Sequence, residues 1–242
     1  MVTDFLQFIA RPSQLQASGQ SFGSRLRYFV FFWLVLYLAV FMANLVSKVT
    51  CNIVLFTDGT ELMNHYHSNF NSIPDQFGFS ILLVGILIAP LTEELAFRLP
   101  LVINRNLILL SGCSYLALLT WNLIISGNHI GIGTIILPAI GFCLLYFNYM
   151  ITASRTADGF RYMVYLSCFL FAIVHILNYR PLSLLSILLS PLIVSPILLM
   201  GFGFAFMRLR FGFFWGLAAH MLINVPGILS IYLHTDPGVW MR

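Results

Sequence analysis

The 242-residue chain has little charge: Asp, Glu, Lys and Arg make up 8% of it, against about 25% in an average soluble domain. Hydrophobic residues make up 60%. A soluble fold of this length could not keep so much apolar surface from water, which excludes an ordinary soluble domain. Other absences narrow the field. The twelve bases include a single lysine, Lys48, and form no basic run, so nucleic acid is excluded as a partner. The four cysteines, Cys51, Cys113, Cys143 and Cys168, form no CxxC pair, so neither a cysteine zinc site nor a disulfide framework is indicated. There is no HExxH, the usual local signature of a zinc peptidase. The alternating pattern of a membrane barrel is missing, which leaves helices as the spanning elements. The N-terminal 23 residues lack a signal-peptide core and cleavage-like end; the first span is expected to serve as an uncleaved anchor.

What the chain does have is long apolar segments. About 20 such residues cross a bilayer, and seven segments qualify: 26–47, 77–103, 107–125, 130–152, 161–178, 182–207 and 211–234. The expected fold is a single all-α transmembrane bundle covering residues 1–242. A polar loop, 48–76, joins the first two spans and carries His65 and His67, read as solvated. With seven spans, Arg11, Arg25, Arg27, Arg105, Arg155, Arg161, Arg208 and Arg210 fall on one side, and Lys48, Arg180 and Arg242 on the other. Basic loops stay in the cytoplasm, which predicts a cytoplasmic N-terminus and an external C-terminus. The chain's size and the absence of targeting signals point to a bacterial cytoplasmic membrane, with an organelle membrane as the alternative. Pro90 predicts a kink in the second span, and Pro191 and Pro196 a bend in the sixth.

Of only three glutamates, two are adjacent and deep in the second span, Glu93 and Glu94, followed by Arg98. Ionisable residues at such depth are costly and are functional candidates by default. Residues four apart share a helix face, so Glu94 is expected to pair with Arg98. Glu93 points about 100° away, free to face the bundle interior. The plainer alternative folds both carboxylates onto Arg98 and interfacial water. His175 lies in the fifth span with Phe171 one turn before it; alone, it reads equally well as a packing histidine. His220 and Asn224 share a face of the seventh span, where they could equally be polar glue between helices.

Taken together, a Glu, two His and an Asn make a set for activating water and stabilising a tetrahedral intermediate. In one mechanism Glu93 and His175 deprotonate water while His220 and Asn224 hold the oxyanion. In the other Glu93, His175 and His220 bind zinc with one open position. The metal-independent version is preferred, because His220 and Asn224 are suited to act as donors.

At these residues the chain resembles the CPBP family of CAAX proteases and bacteriocin-processing membrane proteins. The family pattern is EExxxR, then FxxxH, then HxxxN. This chain reads EELAFR from Glu93, FAIVH from Phe171 and HMLIN from His220. The resemblance covers about residues 77–225, with segments 107–152 standing as an inserted two-span hairpin between the first and second motifs. It implies intramembrane hydrolysis of a peptide bond near the C-terminus of a hydrophobic or lipidated substrate. Glu93, His175, His220 and Asn224 would be catalytic, with Glu94, Arg98 and Phe171 in support. Two other functions stay open: a catalytically silent regulator or bacteriocin-immunity protein of the same fold, and a proton-coupled transporter using Glu93 and His175 as a relay.

Overall fold

The computed structural model describes residues 2–13, 21–54, 80–102, 106–107, 110–114, 116, 156–178 and 187–234, and every regular element among them is helical. In chain order these are α1 (Val2–Ala10), α2 (Phe22–Val54), α3 (Ser80–Leu83), a π-helical turn (Val84–Ile88), α4 (Ala89–Phe97) and a 3-10 turn (Leu99–Leu101). After them come α5 (Ala157–Val174) running into a 3-10 turn (His175–Asn178), α6 (Ser190–Ile193), α7 (Ser195–Phe211) and α8 (Phe213–His234).

Three helices are long and apolar enough to cross a membrane, over Phe22–Thr50, Ala157–Val174 and Phe213–Ser230. They match the first, fifth and seventh expected spans. The second and sixth, where described, are helical but interrupted at their prolines. Segments 107–125 and 130–152 lie outside the described residues except for a few helical positions up to 116, as does most of the 48–76 loop with His65 and His67.

The interruptions follow from proline chemistry. Proline has no N–H and its ring clashes with the carbonyl four residues back. Before Pro90 the backbone widens: the Ala89 N–H reaches Val84 O, the five-residue spacing of a π-helix. The Gly85 carbonyl thereby loses two donors at once, Ala89 to the wider spacing and Pro90 for want of a proton. Asn224 Nδ2 of α8 donates to it at 3.1 Å. In the sixth segment Pro196 deprives the Leu192 carbonyl of its donor, and the chain breaks at Val194 between α6 and α7. Two hydroxyls compensate, Ser195 Oγ at 2.8 Å and Ser47 Oγ of α2 at 3.1 Å.

α7 is the centre of the bundle, flanked by α2, α5 and α8, and Gly201 through Met207 are all buried. The chain turns from α7 to α8 at Gly212, whose φ of 108° suits only glycine. At the end of the bundle where α2 begins and α7 ends, α1 lays Phe5 and Phe8 against Phe206, and Phe5 also against Phe32. Its carboxylate Asp4 accepts from Arg210 Nη1 at 3.2 Å, and the Tyr165 hydroxyl reaches the free carbonyls of Ile9 and Ala10 at 3.0 and 2.9 Å. α5 starts on an N-cap, with Thr156 Oγ1 accepting from Gly159 N–H at 3.0 Å.

Candidate active site

α4 presents its two carboxylates to different neighbours, as the helical offset predicts. Glu94 is completely buried, and so are Arg98 and Ser167. Arg98 Nε lies 3.9 Å from Glu94 Oε1, so the expected pair is present but long. The nearer partner of Glu94 is His220, whose Nδ1 lies 3.1 Å from Oε1. The guanidinium donates from Nη1 to Ser167 Oγ at 3.0 Å, and that hydroxyl donates to the Phe97 carbonyl. Its face rests on the Phe171 ring at 4.7 Å, a cation–π contact. A Cβ at Gly201 would stand 3.2 Å from the Phe171 ring and 3.4 Å from Arg98 Nη2. Any side chain there would press on both groups by a few tenths of an ångström.

Glu93 occupies the more open side. Its Oε2 is 3.5 Å from His220 Nε2 and 3.8 Å from His175 Nε2. Side-chain exposure is 17% for Glu93 and 22% for His175, against 4% for His220. His175 sits where α5 gives way to its 3-10 turn, and its Nδ1 lies 2.7 Å from the Phe171 carbonyl. A carbonyl only accepts, so Nδ1 carries a proton, and Nε2 faces Glu93. An ionised Glu94 likewise only accepts, from His220 Nδ1–H. Phe204 stacks on the His220 ring, 4.4 Å between centroids and 16° between planes, and Phe171 meets it edge-on at 5.6 Å.

The result is a carboxylate oxygen and two imidazole nitrogens converging, each ring fixed from behind through its other nitrogen. Glu93 Oε2 is buried at the atom and has no hydrogen-bond partner. With both carboxylates ionised, one guanidinium leaves the cluster one positive charge short of neutrality. A proton or a cation between Glu93 and the imidazoles completes it. In kind the donors suit zinc, but tetrahedral bonds of about 2.0–2.1 Å place ligand atoms roughly 3.4 Å apart, and the His175 separation is wider. Among the described residues no three His, Cys, Asp or Glu side chains gather closely enough to hold a metal ion, so no reaction step is derived through one.

Glu93, Glu94, Arg98, Phe171, His175 and His220, drawn from three separate segments, are thus brought together. Asn224 lies one turn further along α8 and directs its amide to Gly85 instead of toward Glu93. The sequence reading missed Ser167 and Phe204; Gly201 it marked, with Gly203, as a place where helices approach closely. Ser167 had a usable signal: with Phe171 and His175 it forms a stripe at four-residue spacing on α5. Phe204 is one phenylalanine among 23 and carried none. Comparison with models of known families, with curated proteins and with solved structures finds no match to this chain.

Proposed function

We propose that the chain is an intramembrane endopeptidase of the CPBP kind. It hydrolyses a peptide bond near the C-terminus of a hydrophobic or lipidated protein, using water activated by Glu93. The observation that carries this reading is the approach of Glu93 Oε2 to within 3.5 and 3.8 Å of two imidazoles, each held through Nδ1. The three ordered motifs that carry the family resemblance support it. In the bilayer the chain forms a seven-span bundle, 107–152 supplying the two further spans, with the N-terminus in the cytoplasm of a bacterial cell and the C-terminus outside.

Water between Glu93 and His175 surrenders a proton to the carboxylate as its oxygen attacks the carbonyl carbon. The carbonyl π pair moves onto oxygen, and His220 faces that charge. Held from behind by Glu94 through Nδ1, His220 directs Nε2 to the oxyanion and, when protonated there, donates it a hydrogen bond. Glu93 then passes its proton to the leaving nitrogen as the C–N bond breaks. Arg98, Glu94 and Phe171 hold the His220 ring in place and touch no substrate.

The test is cleavage of quenched hydrophobic C-terminal peptides, prenylated and unprenylated, by purified protein in lipid. Wild type and Glu93→Gln are each assayed with and without a zinc chelator. Cleavage by wild type that survives chelation and disappears in Glu93→Gln is the expected result. Sensitivity to chelator would transfer the role of water activation to a metal held by Glu93, His175 and His220. A folded wild type that cleaves no peptide would shift the reading to a silent regulator of the same fold.

A further inference from the structure

Asn224 carries a second consequence of the π turn. Along this helix a proline and a widened turn combine to strip one carbonyl, Gly85 O, of both backbone donors that could serve it. An unmet carbonyl in an apolar interior is expensive. The donor that arrives is the Asn224 amide of α8, at 3.1 Å. At the same place the two helices are in close approach: a Cβ on Gly85 would fall 2.5 Å from Ile228 Cδ1 of α8. One turn before Asn224 on α8, His220 Nδ1 meets Glu94. α8 is therefore tied to the helix that bears both glutamates at two points, and His220 Nε2 reaches Glu93 from between them.

We infer that Asn224 is a positioning residue: it latches α8 to the proline-freed Gly85 carbonyl and so fixes the distance between His220 Nε2 and Glu93. Without it, α8 loses its tie beside Pro90, keeps the one at Glu94, and pivots about that. The inference rests on the peptidase reading only for what the positioned groups do; the latch itself is tested without any substrate.

The experiment is a double-mutant cycle with Pro90→Ala, which returns an N–H to the backbone and gives Gly85 O a donor whichever spacing the turn adopts. In the native background Asn224→Ala lowers Tm by about 3–8 °C, as expected for one part-buried carbonyl left unmet in a chain of this size. In the Pro90→Ala background the same substitution costs less than half as much. Equal cost in both backgrounds would overturn the latch. If Asn224→Ala alone yields no folded protein, recovery of folded protein by adding Pro90→Ala supports the latch and failure to recover overturns it. The positioning role has its own readout in the 15N resonances of His220 in lipid nanodiscs. Asn224→Ala shifts Nε2, which loses its fixed distance to Glu93, and leaves Nδ1, held by Glu94, unchanged. An unmoved Nε2 would overturn the positioning role. A protein that passes both tests and cleaves no peptide would refute the peptidase reading and leave the latch standing.

Discussion

Glu93 and Glu94 are neighbours in the chain and live in different chemistry. Glu94 belongs to a sealed region: Arg98 and Ser167 are as inaccessible as it is, and the His220 ring closes the remaining side. Glu93 belongs to an open one, shared with the most exposed group of the set, His175. One residue of helix, about 100° of rotation, separates a carboxylate enclosed by the packing from one at a partly exposed edge. In the proposed reaction the sealed region supplies orientation and balancing charge, and the open region supplies the reacting carboxylate. Neither suffices alone, because an imidazole faces Glu93 usefully only while something fixes its other nitrogen.

The largest effect that would sharpen this contrast is in activity. Glu93→Gln is expected to lower hydrolysis by about 10²–10⁴-fold, the usual worth of a general base, with Tm nearly unchanged; peptide cleavage and thermal unfolding in lipid measure the two. Arg98→Ala should do the reverse. It leaves Glu94 as an uncompensated buried charge, at a cost of about 3–5 kcal/mol, seen as lost yield or lost Tm. Glu94→Gln should follow Arg98→Ala in kind. Were the Glu93 and Glu94 substitutions to behave identically in both assays, the division between the two regions would be wrong. Ser167→Ala removes the hydroxyl between Arg98 and Phe97 and should cost about 1–3 kcal/mol in denaturant unfolding. Phe204→Leu, which keeps an apolar side chain but loses the stack on His220, is expected to cost about 0.5–1.5 kcal/mol. Its effect on cleavage should fall on kcat more than on KM, since Phe204 reaches substrate only through His220.

Much of the site was legible in the sequence because its logic is local. The four-residue spacing of Glu94 and Arg98, the offset of Glu93 and the shared face of His220 and Asn224 are properties of any helix carrying those residues. The hydrophobic segments likewise marked where helices run, and three of them appear as uninterrupted candidate spans. What could not be read was decided between helices. Pro90 announced a disturbance, but not that the freed Gly85 carbonyl would be met by Asn224, 139 positions away. That the other face of His220 would meet Glu94 through Nδ1 was decided by the tertiary packing of α8 on α4. Phe204 stacks on that ring for the same reason, and no pattern within α7 distinguishes it from Phe202 or Phe206.

The bonds that hold the two proline breaks have an implication for the order of assembly. Gly85 O waits for Asn224, Glu94 waits for His220 and Leu192 O is met in part by Ser47, pairs separated by 139, 126 and 145 positions. Chains are made from the N-terminus onward, so the helix bearing both glutamates is synthesised well before α8. Until α8 arrives, Glu93 has no His220 to face and the carbonyl before Pro90 has no Asn224. A ribosome-bound intermediate therefore carries both glutamates before the histidine that joins them, and on the proposed reading the site is complete only with the last described helix.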